Sequence, residues 1–502
     1  MDPASPKARW VAIQNGRILA IGHDDNFTEL CHKNTKTINC NGKTLLPGFI
    51  DSHLHFHGLA ESLVALNLEP RNNVRSISDI QKKIGELSKE LPPGTWIRGG
   101  GYNEFYLAER RHPTRWDLDA AAPSHPIKLT HRSGRAHVLN SMALRLVNIS
   151  KETGDPPDGL IDRHIETGEP TGLLYGMGEY IARRIPPIHY DQMERGVKLA
   201  NRELSSLGIT SIHDASPRND HNRWEMFRRW KEGGLLKIRV SVVLGIKGFD
   251  ESQGHPFSTH AGEDQLNLRG VKVIVHETTG RLIPSQEELN ERVLKIHQSG
   301  LQAVLHAIEE TTIEAACTAI EYVLQRSPNP DPKHRIEHCS VCTPSLAKRL
   351  ASIGVFVVTQ PSFIYYNGDR YLKTVPGRNL KHLYPINTLM ENGVRVAGSS
   401  DCPVAPANPL IGIYSAMFRR TESGELVLPE EKIAPLEAIK MYTEYAAKAT
   451  LGERIKGSIT PGKLADLVLL NGDPTRLPAD ETKGIKVEMT ILNGEVVWDE
   501  MS

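Results

Sequence analysis

Short alternating apolar runs open and close this chain, and longer apolar runs separated by amphipathic stretches fill its middle. Trp10-Val11-Ala12-Ile13-Gln14 and Arg17-Ile18-Leu19-Ala20-Ile21-Gly22 flank Asn15-Gly16. That reads as strand, tight turn, strand. Ala465–Gly472 reads as a strand running into a turn, and Val487–Trp498 as a second hairpin around Asn493-Gly494. These β-runs predict one small β-sandwich domain built from both termini, residues 1–46 and 445–502. Between them the period switches repeatedly. Gly208–His213, Val271–Val275, Leu301–His306, His334–His338, Gly354–Gln360 and Val394–Asp401 read as strands, with helical stretches at Ser285–Ser299 and Thr311–Leu324. Repeated βα units of this kind predict a parallel sheet or barrel.

Several of these strands end in His, Gln or Asp. In a (β/α)8 TIM-type barrel the C-terminal strand ends form the active-site face. The fold class expected is therefore α/β, with a barrel over residues 47–60 and 206–444. Residues 61–205 break the rhythm with Leu91-Pro92-Pro93-Gly94, Arg98-Gly99-Gly100-Gly101 and a polar hairpin near Asp162–Pro170. They read as a long α/β insertion after the first barrel strand. No internal repeat or low-complexity tract interrupts this organisation.

Composition narrows the function. The chain has 502 residues, enough for more than one structural unit. Lys+Arg and Asp+Glu are both 60, so the formal net charge is zero. That gives no electrostatic reason to expect nucleic acid or an anionic membrane. No apolar stretch is long enough to span a bilayer, and Met1–Lys7 lacks the apolar core of a signal peptide. The 6 cysteines are sparse and read as reduced thiols of a cytoplasmic protein. Cys339-Ser340-Val341-Cys342 has no second pair at zinc-finger spacing, so core packing explains it better. The 21 histidines are the unusual number, and they direct attention to metal or proton chemistry.

The segment Leu45-Leu46-Pro47-Gly48-Phe49-Ile50-Asp51-Ser52-His53-Leu54-His55 carries the strongest chemical signal. On a strand, residues i and i+2 share a face, so His53 and His55 present two imidazoles together. Two neutral imidazoles suit a borderline metal such as zinc. His57 continues the alternation but falls beyond the strand end, and it reads as a loop residue. His306 closes one apolar strand, His338 another, and Asp401 follows a strand of small residues. Any one of them is explained by a hydrogen bond inside a core. All five at successive strand ends are better explained as a metal site.

These residues resemble a known group. The PGFIDSHLH run, the strand-end histidines, the late GSSD and the SITPGKLADLVLL tail are similar to the amidohydrolase superfamily. Trp96–Glu104, His131–Ser141 and Gly168–Gly172 resemble its YtcJ-like branch, to which N-substituted formamide deformylase belongs. The resemblance implies that His53 and His55 hold a more buried metal, and that His306 and His338 hold a second. It implies that Asp401 touches metal and serves as general base. Lys272 falls on the expected fourth strand, where many members carry a carbamylated lysine bridging two ions; Glu277 is the alternative bridge. Val275–Gly280 departs from the commoner branch pattern, which leaves one or two ions open. The branch usually has a further strand before the first hairpin. Met1–Arg9 is short and contains proline, so an uncovered sheet edge is expected there.

A metal-activated water attacking a C–N bond follows from this set. Asp401 takes the proton and returns it to the leaving nitrogen, and His338 polarises the carbonyl if one ion binds. Trp96, Tyr102, Asn103 and His137 are expected either to line the pocket of a small amide-type substrate or to be structural polar residues. The expected cofactor is divalent zinc, with manganese, iron or cobalt as alternatives, and the expected assembly is a homodimer. There is no GxSxG, GxGxxG or Walker A run. Rival readings are a cyclic amidase, deaminase or esterase on the same site, and a catalytically silent scaffold with this fold.

Overall fold

The computed structural model describes residues 7–24, 26–156, 159–252, 264–278, 280–328 and 333–500. The chain divides into two compact units. One comprises Met1–Phe56 with Asn201–Ser502, the other His57–Ala200.

The larger unit is built on an eight-stranded parallel sheet. In chain order its strands are β1 (Phe49–Leu54), β2 (Ile209–Asp214), β3 (Arg239–Gly245), β4 (Leu266–Ile274), β5 (Gln302–Ala307), β6 (Arg335–His338), β7 (Phe356–Thr359) and β8 (Arg395–Gly398). Each pairs in parallel with the next, from β1 through β8. The sheet curls round until its ends meet. Asp401 N donates to His53 O at 2.9 Å, and His55 N donates to Cys402 O at 2.8 Å. This is the expected TIM-type barrel. Its strands are buried on both faces, which is why they read as near-continuous apolar runs. Outside β1, β7 and β8, Ile50, Phe356, Val358 and Ala397 pack against Ala446, Ala447 and Ala449. Side-chain caps start the flanking helices: Ser285 caps Gln286–Gln298 and Thr343 caps Pro344–Ser352.

Beside the barrel lies a four-stranded antiparallel sheet of Thr44–Pro47, Leu467–Leu470, Val487–Leu492 and Glu495–Asp499. The hairpin Trp10–Gln14/Arg17–Gly22 forms a separate ribbon. Both hairpin turns have the two positive φ angles of a type I′ turn, 50° and 73° at Asn15-Gly16 and 54° and 79° at Asn493-Gly494. The expectation about the first strand falls on Met1–Arg9, of which residues 1–6 lie outside the described residues.

The second unit holds a six-stranded mixed sheet. Leu66–Asn67, Ile97–Tyr102 and Ile127–His131 run parallel. Ala136–Leu139, Pro170–Tyr175 and Leu160–Arg163 continue the sheet antiparallel. Two apolar clusters cover it, one around Ile80, Ile97, Leu118 and Leu129, the other around Leu139, Leu144 and Leu174. His57 departs from its expected loop setting: it lies in the helix Phe56–Val64, with Nδ1 3.6 Å from Glu61 one turn on. Strand β3 is the barrel strand the sequence reading passed over, although Val240-Ser241-Val242-Val243-Leu244 is a plain β-run.

Candidate metal centre

Strand β1 sets the site. Asp51, His53 and His55 share one face by the two-residue period. Asp51 is buried, and it fastens β1 to the segment after β8. Its Oδ1 accepts from the amides of His53 at 3.1 Å and Ser400 at 3.2 Å, and its Oδ2 accepts from Ser400 Oγ at 2.5 Å. Burial pushes its carboxyl up to about 7 against those bonds. The neighbouring residue, Asp401, has a φ of 58°. That left-handed turn is uncommon away from glycine and redirects the carboxylate where the chain leaves β8.

Asp401 therefore meets the histidines of β1. Its Oδ1 lies 3.0 Å from His55 Nε2 and 3.5 Å from His53 Nε2. These three side chains offer ligand atoms that all lie within 4.8 Å of one another. Burial pushes the Asp401 carboxyl up, but the His55 hydrogen bond and the surrounding imidazoles outweigh it and hold the group below the usual carboxylate range. Burial pushes His53 and His338 down, so both imidazoles stay neutral, the form that binds a metal.

Each imidazole is held through Nδ1. His53 Nδ1 bonds Glu337 Oε2. His55 Nδ1 lies 3.1 Å from Ser216 Oγ, and His338 Nδ1 lies 2.9 Å from Gln360 Oε1. A carboxylate only accepts, so His53 carries its proton on Nδ1 and turns a lone pair at Nε2 toward Asp401. Two acceptors then face each other at 3.5 Å. A cation between them resolves that opposition, and the donor set fits a divalent transition metal.

His306 and His338 also come together, with ring centroids 4.4 Å apart, and His338 lies 5.1 Å from the His53 ring. Lys272 on β4 is 3% exposed, and its Nζ has no hydrogen-bond partner among the described residues. Burial lowers it to about 8, with the Glu337 and Asp401 charges opposing the shift. An unpartnered ammonium in a barrel interior is costly, and the nearby carboxylates offset part of that cost. Glu277 stands apart from this cluster. It is exposed on the hairpin His276–Thr278/Arg281–Ile283, where Oε2 accepts from Thr311 Oγ1 at 2.8 Å.

The four residues expected either at the pocket or as structural polar groups all lie in the second unit. Trp96 packs on the cluster around Leu139 and Leu144, with the Arg98 guanidinium 5.9 Å from its ring. Tyr102 is fully buried, with its hydroxyl 2.9 Å from His112 Nδ1. Asn103 caps the short helix Glu104–Tyr106 by accepting from Phe105 N at 3.1 Å. His137 is buried, with Nδ1 3.3 Å from Thr130 Oγ1. Alongside Tyr102, His131 Nε2 lies 2.8 Å from Glu104 Oε2, and this hydrogen bond holds the Glu104 carboxyl down at about 2.

Sequence reasoning left Glu337, Arg335, His213, Gln360 and Asp51 without roles. Arg335 Nε pairs with Glu337 Oε1 at 2.7 Å, and Arg335 Nη1 donates to His213 Nδ1 at 2.5 Å. Strict alternation sends residues 337 and 338 to opposite faces. The φ of 71° at His338 breaks that alternation, and both side chains turn into the barrel. Asp51 was legible, since it shares the face of His53 and His55.

The amidohydrolase family model matches residues 36–498. The chain belongs to the amidohydrolase family. This amidohydrolase is 28% identical to the putative amidohydrolase YtcJ of Bacillus subtilis (strain 168), over 97% of this chain and 96% of that one. It is 26% identical to N-substituted formamide deformylase of Arthrobacter pascens, over 99% and 96% respectively. An uncharacterized metal-dependent hydrolase from Pyrococcus horikoshii has the same fold, with a TM-score of 0.75, 23% identity, and coverage of 94% of this chain and 95% of that one. Family and His–His–Asp cluster together make the protein a metal-dependent hydrolase. None of its six cysteines is joined in a disulfide, and no helix among the described residues is long and apolar enough to cross a membrane.

Proposed function

We propose that this amidohydrolase cleaves the C–N bond of a small, uncharged amide, with an N-substituted formamide or N-acyl amine as the substrate class. The observation that carries the reading is the convergence of His53 Nε2, His55 Nε2 and Asp401 Oδ1, with His53 locked in the tautomer that makes it a ligand. His53, His55 and Asp401 would hold one divalent ion. His306 and His338 would hold a second, with Lys272 as the bridge after its neutral amine adds carbon dioxide and loses a proton to become a carbamate. A bound divalent ion supplies Lewis acidity and a nucleophilic water at neutral pH.

The chain's own groups manage the proton. The His55 hydrogen bond and the surrounding imidazoles favour the carboxylate form of Asp401, which can accept a proton from the attacking water. Its Oδ1 faces the imidazoles, which leaves Oδ2 to carry that proton to the leaving nitrogen. His338 would polarise the carbonyl oxygen only if one ion binds, and it would then need a proton on Nε2, because Nδ1 already donates to Gln360 Oε1. Hydrolysis of a formamide then gives the free amine and formate. The full-length likeness to a formamide deformylase supports this substrate class, as does the zero net charge of the chain. The rival bonds are a cyclic amide, an exocyclic amine and an ester.

A side-by-side assay of metal-loaded protein on N-benzylformamide, an N-acyl amino acid, a cyclic imide and a phosphotriester tests the substrate class. The expected result is preference for the formamide. Preference for the phosphotriester or the imide would replace this reading with the corresponding rival.

A further inference from the structure

Two of the histidines are held by different chemistry, and the difference bears on how the centre fills. His53 Nδ1 bonds a carboxylate, Glu337 Oε2. His338 Nδ1 bonds a neutral carboxamide, Gln360 Oε1, at 2.9 Å. Gln360 is fixed in turn, with Nε2 donating to Ser399 Oγ at 3.0 Å. Its amide nitrogen is thereby committed as donor, so its oxygen faces the imidazole as acceptor. Both histidines are therefore presented through Nε2, one with charge assistance and one without.

Glu337 is itself anchored. It is fully buried, and its second oxygen pairs with the buried Arg335 guanidinium at 2.7 Å. Arg335 also donates to Ser52 O at 3.2 Å and to His213 Nδ1 at 2.5 Å. The chain of contacts thus runs from β2 through β6 to the ligand on β1. It places the Glu337 side chain between a guanidinium and an imidazole inside the barrel, where charge-assisted bonds are stronger than neutral ones. A carboxylate behind an imidazole raises its basicity as a ligand.

We infer that Glu337 is a positioning residue that makes the His53/His55/Asp401 subsite the tighter of two, so that it fills first, while Gln360 leaves the His306/His338 subsite weaker. This rests on the two-ion reading above. Glu337 has two oxygens and serves two groups, Arg335 and His53. Glutamine offers one acceptor and no charge. In Glu337→Gln, either the imidazole loses its acceptor or the guanidinium loses its counter-charge.

The test titrates cobalt(II) into metal-free protein and follows both the visible absorption of the bound ion and calorimetric stoichiometry. Wild-type protein is expected to give two resolved steps. Glu337→Gln should weaken the first step by roughly 10–100-fold and alter its absorption spectrum, with the second step unchanged. Gln360→Glu should strengthen the second step and narrow the gap between them. Glu337→Asp, which keeps the charge on a shorter side chain, should fall between Gln and wild type and shows whether a loss is one of folding. A single step in wild-type protein would overturn the two-ion reading. Two wild-type steps that Glu337→Gln leaves alone, or weakens equally, would overturn the role of Glu337.

Discussion

Asp466 links the terminal β-sheet to the floor of the barrel, and its removal should be one of the more damaging single changes away from the metal centre. Its Oδ2 lies 2.6 Å from Arg239 Nε and its Oδ1 lies 2.9 Å from Arg239 Nη2, with the two side chains 2% and 4% exposed. Oδ1 also accepts from Asn493 N at 2.9 Å, at the turn of the last hairpin. The same carboxylate faces the buried Lys456 and the half-buried Lys231. Burial, reinforced by the Arg239 charge, lowers Lys231 and Lys456 to about 7, and Asp466 opposes the shift in both. Asp466→Ala therefore strands a guanidinium among basic groups. Breaking a buried pair from one side costs about 3–5 kcal/mol. Losing the acceptor for a backbone amide adds about 1 kcal/mol. Urea unfolding followed by fluorescence should show a large fall in midpoint with the slope unchanged. The double change Arg239→Met with Asp466→Leu should recover most of the loss, because it removes both charges together. As a control, Asp250→Ala breaks an ion pair to Lys295 whose side chains are about half exposed, and it should cost less than about 1 kcal/mol. If Asp466→Ala costs no more than Asp250→Ala, the buried pair does not join the sheet to the barrel in the way argued.

Asp401→Asn keeps the shape of the side chain but cannot take a proton, so turnover should fall at least about a hundredfold while urea stability stays close to wild type; near-normal kinetics in the folded variant would reassign the base. Lys272→Ala should bind one ion fewer, by elemental analysis, and a short carboxylic acid should restore part of the rate; full metal content and rate would make Lys272 an ordinary interior lysine. Tyr102→Phe should lower stability by about 1 kcal/mol through the lost contact to His112, with metal content unchanged; a loss of bound metal would tie the second unit to the centre.

The barrel was legible because its strands are buried on both faces, and buried strands announce themselves as apolar runs. The candidate ligands stood out because strand ends are where a barrel keeps its chemistry, and His53 and His55 obey the two-residue period. What escaped depends on backbone angles that a linear pattern does not carry. Glu337 and His338 are adjacent yet both reach the interior, through the left-handed φ at His338. Asp401 turns toward the histidines by the same device. Arg335 and His213 looked like ordinary strand residues, since they meet each other across 122 positions of chain. The second unit was hardest to read. Tyr102 and Asn103 are polar and adjacent in sequence, yet one is buried against a histidine and the other caps a helical turn.

If His53, His55 and Asp401 hold a metal ion on which hydrolysis depends, metal content and activity must rise and fall together. Elemental analysis of protein purified without chelator, paired with activity on the preferred amide before and after metal removal, tests it most directly. The purified protein should carry one to two equivalents of divalent transition metal, lose activity on metal removal, and recover it on adding zinc or manganese. A His53→Ala, Asp401→Ala double variant should lose at least one equivalent. Clearly substoichiometric metal in the wild-type protein, with no gain of activity when metal is added, would show that these three residues do not form a catalytic metal site.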